Sequence, residues 1–340
     1  EMTYPVFAKA ISAIEADTAV LVQDYPAAEI DSSKVYYRAD AMAFARASKE
    51  QGLPAIICAT LPENMDLETR HLLIEKGVAP MQGIHEALNA IRDSADWNQA
   101  RSRILSEKPE YLLPSYPSSE QKVMSESDSK RWLKNNNFNV PNGKTVSPHK
   151  LGEAASEVGY PVALKMISPR LLHKTEAGAV VLDLKDEEEL KLAVEKMRID
   201  VTAYDADAAS ELFLVEAMSP NPVAELIVNL RQDPQFGAAL VLGSGGVLVE
   251  LMADTATLLL PTSLADIIRA LKSLRVGRLL EGFRGRPAVD IPKVAGEIYK
   301  LCIAYQDHDK TITEIEINPL FVYRDTVSAI DALIQVPVHK

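Results

Sequence analysis

The chain has 340 residues, a formal net charge of −12, 47% hydrophobic residues and 25% charged ones. That length is enough for two or three domains with substantial cores, and the acidic balance supplies no basic field to recommend nucleic acid or an anionic membrane as a partner. No apolar run approaches the roughly 20 residues of a spanning helix, and Cys58 and Cys302 each sit alone in an apolar segment, which reads as buried thiols of a cytoplasmic protein rather than a disulfide or metal site.

The opening Glu1-Met2-Thr3-Tyr4-Pro5 turns almost at once into a helical pattern, as a start inside a larger fold would. Helical spacing over Val6 to Glu15 is followed by the apolar strand Thr18 to Gln23, and the unit then repeats. A helix near Asp40 to Glu50 leads to strand Ala55 to Ala59. A helix near Leu67 to Lys76 leads to the short VAPMQ and to a helix over Ile84 to Ile91. Strand and helix alternating in this way predict parallel βαβ units. Residues 1–98 are therefore expected to form a flavodoxin-like half-domain, without a glycine-rich phosphate fingerprint and so best suited to docking or scaffolding. Residues 99–121, with Pro109, Pro114 and Pro117, are predicted as a linker.

A second domain is expected over residues 122–340. Ser125 offers an N-cap to a helix carrying Trp132 and Leu133, and Pro148-His149-Lys150 opens another that stops at Gly159. The strand Val162 to Met166 is apolar except for Lys165. An ammonium in a buried strand is costly unless an anion meets it, and phosphate is the usual anion; a lysine snorkelling from a sheet edge gives the same pattern. A loop with His173, Lys174, Thr175 and Gly178 follows and leads to strand Ala179 to Asp183. Such a loop can fold over a polyphosphate, and an ordinary surface hairpin can carry the same residues. Beyond the helix Glu187 to Met197, Glu216, Glu225 and Glu250 each lie in apolar strand contexts. With Asp233, Gly243, Gly245 and Gly246 they suggest a nucleotide site, because a carboxylate so placed needs a cation or the amine and hydroxyl edges of a nucleotide.

In EIEINPL, apolar and polar residues alternate, so Glu314, Glu316 and Asn318 share one strand face. A hairpin through Arg324-Asp325 and a short strand over Val327 to Ile330 would return Asp331 to the same end of the sheet, 13 residues after Asn318. Hard oxygen ligands of this kind suit Mg²⁺; a solvated acidic strand face fits the pattern equally well.

In order along the chain, GYPVALKMISPRLLHKTEAGAVVLDL, VEAMSPNPVAELIVNLRQDPQFGAALVLGSGGVLVELMAD, LLEGFRGRPAVD and EIEINPL with AIDALI resemble the ATP-grasp module of NDP-forming acyl-CoA synthetases, the superfamily of succinyl-CoA synthetase. The resemblance covers nearly all of residues 120–335, and the N-terminal part looks like the tail of the flavodoxin-like CoA-ligase domain that precedes this module in single-chain members. It implies an α/β chain in which a flavodoxin-like parallel-sheet half-domain precedes a two-lobed ATP-grasp domain.

It also implies roles. Lys165 resembles the lysine that pairs with nucleotide phosphates, Glu216 stands where the hinge strand meets adenine, and Glu225 is a further nucleotide-site carboxylate; Lys174, Gly245 and Gly246 complete the expected ATP/ADP site. Asn318 and Asp331, with Glu316 beside them, match Mg²⁺ positions, and His173 matches a phosphoryl-carrying histidine of a mobile loop. The implied reaction joins a carboxylic acid to CoA at the expense of ATP, releasing ADP and phosphate through an acyl phosphate and a phosphohistidine.

The chain departs from the family pattern at Gly178-Ala179, at Leu258, and at Asn229-Leu230-Arg231-Gln232, where GVTR usually precedes DPQFG. The CoA-binding portion has no counterpart in the chain, so an N-terminal portion is expected as another chain or as a lost segment, in an oligomer. Two other readings carry the same cleft: the regulatory synthetase-like region of a protein lysine acetyltransferase, and an ATP-grasp carboxylate–amine ligase.

Overall fold

The computed structural model describes residues 3–25, 34–108, 113, 120–171, 174–246, 254–285, 287–308 and 311–338. The chain divides into two compact units, Glu1–Pro109 and Glu110–Lys340.

In the first unit the strands β1 (Ala19–Val22), β2 (Ala55–Ala59) and β3 (Val78–Gln82) form a parallel sheet in the order β1-β2-β3. Helices α1 (Tyr4–Ser12), α2 (Lys34–Glu50), α3 (Leu67–Glu75) and α4 (Ile84–Glu107) alternate with them. The core is small. Ile57, Ala59 and Val78 from the sheet pack with Phe44, Met65 and Leu73. The alternation of periods seen in the sequence is thus a parallel α/β unit, as expected. Helix α4 is three times longer than its apolar pattern suggested: residues 92–107 hold no proline or glycine to end it, so it continues into the first nine residues of the stretch expected as linker.

The second unit contains two antiparallel sheets. The smaller has the order β5-β8-β6-β7, from β5 (Gly143–Val146), β6 (Val162–Met166), β7 (Val180–Leu184) and β8 (Phe213–Ala217). Helices α6 (Leu151–Val158) and α7 (Glu187–Tyr204) cover one face of it, burying Val162, Leu164, Met166, Phe213 and Val215. Ala163, Lys165, Leu214 and Glu216 are left on the opposite face by the period-2 alternation.

The larger sheet runs β11-β10-β9-β12-β14-β4, with β13 paired to β12. Its members are β4 (Gln121–Val123), β9 (Ala224–Asp233), β10 (Gly237–Ser244), β11 (Thr255–Leu259), β12 (Glu314–Val322), β13 (Val327–Ala329) and β14 (Ala332–Pro337). Three helices, α8 (Leu264–Ser273), α9 (Gly277–Leu280) and α10 (Ile291–Asp307), bury its apolar face, which includes Leu226, Val228, Leu230, Ile315 and Ile317. The alternate residues Glu225, Asn229, Glu314, Glu316 and Asn318 therefore lie on the other face. Helix α5 (Glu126–Asn135) packs beside β14, where Ser129 Oγ accepts a hydrogen bond from Ile334 N at 3.2 Å. Cys58 and Cys302 are free and buried, and burial pushes the Cys302 thiol up to about 12. The strand expected over residues 247–251, with Glu250, lies outside the described residues, and β11 was not anticipated.

Candidate active site

Lys165 is central to a buried cluster of charges. On the inner face of the smaller sheet it stands diagonal to Glu216, since Ala163 pairs with Glu216 in the β6–β8 register. Only 4% of Lys165 is exposed. Its Nζ lies 2.6 Å from Glu126 Oε1 and 3.0 Å from Glu216 Oε2, and donates to Ile330 O at 2.9 Å. Lys130 Nζ lies 2.6 Å from Glu216 Oε1 and 2.9 Å from Glu126 Oε1. Lys174 Nζ lies 2.8 Å from Glu126 Oε2 and 3.0 Å from Asp331 Oδ2. Three ammoniums thus meet three carboxylates, Glu126, Glu216 and Asp331, and the cluster is electrically balanced.

Burial opposes the charges of Glu126, Lys130, Lys165, Lys174 and Asp331, and the partners outweigh it for Glu126, Lys165 and Lys174. The three lysines around Glu126 hold its carboxyl well below the usual carboxylate range against the cost of burial. Burial works to lower Lys165, yet Glu126, Glu216 and Asp331 raise it above the ordinary lysine range. Lys174 is raised in the same way by Glu126 and Asp331. Asp331 shows the opposite outcome: burial and the negative charge of Glu126 push its carboxyl up despite the lysines. Lys130 is likewise shifted towards its neutral form, lowered by burial and the charge of Lys165 despite Glu126 and Glu216. A buried pair survives only if each member is matched, and Asp331 is the carboxylate of the cluster that burial leaves raised.

Glu126 and Lys130 were not singled out from the sequence. Glu126, Ser129, Lys130 and Leu133 follow the i, i+3, i+4, i+7 spacing of one helix face, and all four are buried. Their spacing was the available signal. Because three of the four are polar, the stripe resembles a solvated face.

The strand β12 and the β13–β14 return place Asn318 and Asp331 together, as the hairpin reading required. Ile317 pairs with Ala332, and Asn318 N donates to Asp331 O at 3.2 Å. Asn318 Oδ1 accepts from Gly246 N at 3.1 Å, and Gly245 N donates to Glu225 O at 2.8 Å. The glycine pair therefore sits between Glu225 and Asn318. Gly246 has φ +72°, and a Cβ there would stand 2.1 Å from Glu225 Oε2; a Cβ on Gly245 would stand 2.4 Å from the Leu226 backbone. Gly245 has no room for a side chain, and one at Gly246 would have to displace the Glu225 carboxylate.

Glu316 is partly buried; burial raises its carboxyl, Asn229 opposes the rise through a hydrogen bond, and the charges of Glu314 and Asp331 add to it. Glu316 and Asp331 thus feel one another's charge. Among the described residues no group of three or more His, Cys, Asp or Glu side chains forms a metal cage. The donor set nonetheless fits magnesium. Asn318, Asp331 and Glu316 supply hard oxygens, the two carboxylates are both raised by burial, and a divalent cation is the charge that relieves them; Mg²⁺ needs only one or two protein ligands when phosphates and water complete its shell.

Of the residues expected from the sequence, Lys165, Lys174, Glu216 and Asp331 converge directly, and Asn318 with Gly246, Gly245 and Glu225 join them through the Asn318–Asp331 contact. Glu216 has both carboxylate oxygens engaged by Lys130, at 2.6 and 2.7 Å. His173 lies outside the described residues.

The second unit is also similar to known proteins. A family model described as an ATP-grasp domain matches residues 115–336. The beta subunit of acetate–CoA ligase (ADP-forming) II from Pyrococcus furiosus is 34% identical over 211 residues, covering 61% of this chain and 88% of the subunit. A solved structure of dinucleotide-forming acetyl-coenzyme A synthetase 1 from Ca. Korarchaeum cryptofilum, in complex with coenzyme A, Ca-AMPCP and HgCl+, aligns with a TM-score of 0.60 at 31% identity, covering 63% of this chain and 93% of that one. Another structure of that protein, with coenzyme A, Mg-AMPPCP and a phosphohistidine segment pointing towards the nucleotide-binding site, aligns with a TM-score of 0.54 at 29% identity, covering 63% and 93%.

Proposed function

The chain belongs to the ATP-grasp family, as a member of the ADP-forming acyl-CoA synthetases, and from that premise we propose that it binds ATP in the cleft around Lys165 and uses it to activate a carboxylic acid for transfer to coenzyme A. The products are acyl-CoA, ADP and phosphate. The observation that carries this reading is the Lys174–Asp331 pair, a cation and an anion held on each other at the more open edge of an otherwise buried cluster, with side-chain exposures of 15% and 35%. A metal–nucleotide complex is the ligand that satisfies both at once, its phosphates taking Lys174 and its metal taking Asp331.

In this reading Lys165 pairs with the phosphates, and Glu216, Glu126 and Lys130 hold it in place. Glu225 and the backbone of Gly245-Gly246 border the nucleotide. Asn318, Asp331 and Glu316 hold magnesium, which neutralises phosphate charge when bound. Phosphoryl transfer is mostly positioning and charge neutralisation, so a rigid, dry array of this kind is the equipment it needs. His173, next in the chain to Lys174, accepts the γ-phosphoryl group on a ring nitrogen as the bond to ADP breaks, and passes it on towards the acid, whose acyl phosphate coenzyme A then attacks.

That a similar protein is a beta subunit supports a partner subunit for this chain, which in this reading supplies the coenzyme A site. The test is reconstitution. The chain is combined with a CoA-binding partner subunit, Mg²⁺, ATP, CoA and a panel of carboxylic acids, and ADP release is measured. ADP formation that depends on both CoA and one of the acids, and that His173→Ala abolishes, is the expected result. Failure of every acid, or full activity in His173→Ala, would sink the reading.

A further inference from the structure

Asn229 lies on the same sheet face as Glu225, Glu316 and Asn318, and the reading above does not use its chemistry. It stands opposite Glu316 in the β9–β12 register. Its Nδ2 donates to Glu314 Oε1 at 2.7 Å and to Glu316 Oε2 at 3.2 Å, bridging two carboxylates that would otherwise repel each other on one strand face. Glu314 is fixed from its other side, where Gln335 Nε2 donates to Oε2 at 2.6 Å. Asn229 is 9% exposed, and its Oδ1 is buried without a hydrogen-bond partner. The amide cannot be turned over to cure this, because Oδ1 would then face two carboxylate oxygens.

A buried acceptor left unmade costs about 1–3 kcal/mol, and a carboxyl-rich strand face is where a hydrated cation would meet such an acceptor. Resting on the nucleotide reading above, we propose that Asn229 is a positioning residue of the metal–nucleotide site: its Nδ2 fixes the Glu316 carboxylate beside Glu314, and its Oδ1 accepts a hydrogen bond from the water shell of the divalent ion. A side chain with both a donor and an acceptor is needed for this. Neither an apolar residue nor a glycine at position 229 supplies them. The cost of losing a group that orients a metal ligand is typically 10–100-fold in metal affinity.

The experiment uses the full chain with Mn²⁺ as probe, free Mn²⁺ being followed by electron paramagnetic resonance in the presence of a non-hydrolysable ATP analogue. Asn229→Ala, the near-isosteric Asn229→Leu and the control Asp331→Asn are compared, and the affinity for the analogue without metal is measured alongside. The expected result is about a tenfold or greater loss of Mn²⁺ affinity in both Asn229 variants, with metal-free analogue affinity within about twofold of the parent, which a merely structural role for Asn229 would not leave intact. Mn²⁺ affinity unchanged in both Asn229 variants while Asp331→Asn weakens it overturns the inference and leaves the metal site standing. Mn²⁺ affinity unchanged in all three overturns the metal site itself, and the inference with it.

Discussion

Lys174 Nζ lies 3.0 Å from Asp331 Oδ2, joining the loop that follows β6 to the turn that enters β14 across 157 residues of chain. Each partner blocks the other from the ligand it suits. If magnesium takes Asp331 when nucleotide binds, Asp331→Asn removes the metal's advantage. We expect ATP affinity in the presence of Mg²⁺ to fall at least about tenfold, or 1.4 kcal/mol, while affinity without Mg²⁺ is unchanged or improved because Lys174 is released. Calorimetric titrations with and without Mg²⁺ check this, and an equal loss in both conditions would contradict it.

Glu126 contacts three lysines, at 2.6, 2.8 and 2.9 Å, with its side chain 2% exposed. Glu126→Gln leaves the buried cluster with excess positive charge and should lower unfolding stability by about 3–5 kcal/mol. Lys130→Met leaves excess negative charge and should also destabilise. The double variant restores the balance, so its loss should be well below the sum of the two single losses. Chemical denaturation of the four proteins forms the cycle, and simple additivity would show that the cluster does not act as a unit.

Gly246→Ala puts a side chain at φ +72° and against Glu225. Left-handed backbone costs a non-glycine residue about 1–2 kcal/mol, and the Glu225 carboxylate must swing away from the glycine pair to relieve the contact. The expected outcome is weaker nucleotide binding with a modest drop in melting temperature. In Gly245→Ala the clash is with the backbone of Leu226, which cannot swing away, so the loss of stability should be larger. Thermal unfolding ranks the two.

In the first unit Asp66 caps α3, accepting from Thr69 N at 3.0 Å, and pairs with Lys34 at 2.7 Å. Burial raises its carboxyl, but the hydrogen bonds from Lys34 and Thr69 outweigh burial and hold it well below the usual range. A depressed folded value contributes stability that is fully present above the unfolded value of about 3.9 and is lost as pH falls through the folded one. Asp66→Asn keeps the cap and loses the charge. Relative to it, the parent should be more stable by on the order of 2 kcal/mol from pH 5 to 8, the gap closing below about pH 4. Denaturation curves across that range, followed by circular dichroism, check the sign.

Much of the fold was legible because it rests on local periods. The strand β3 coincides with VAPMQ, the cap at Ser125 accepts from Asp128 N at 3.1 Å, and EIEINPL alternates between buried isoleucines and a polar face as read. Helix α4 extends beyond its apolar pattern because its later turns bury almost nothing, with Ala87 its one fully buried residue, and no proline or glycine stops it before Lys108. In the site, Lys165 stood out as one charge in an apolar strand. Glu126 and Lys130 did not, since charges at helical spacing are normally solvated.

By itself, then, the sequence determined which residues share a face: the period of 2 in β6, β8, β9 and β12 assigns Lys165, Glu216, Glu225, Glu316 and Asn318 to the sides away from the helices, and the order of motifs assigns the family. Which of those charges meet was decided by tertiary structure. Lys165 and Glu126 are 39 residues apart, Lys130 and Glu216 are 86 apart, and Lys174 and Asp331 are 157 apart. Backbone periodicity fixes the direction of a side chain but carries no information about its partner, whereas Coulomb attraction in a dry interior acts between whatever the packing of two sheets and one helix brings within about 3 Å.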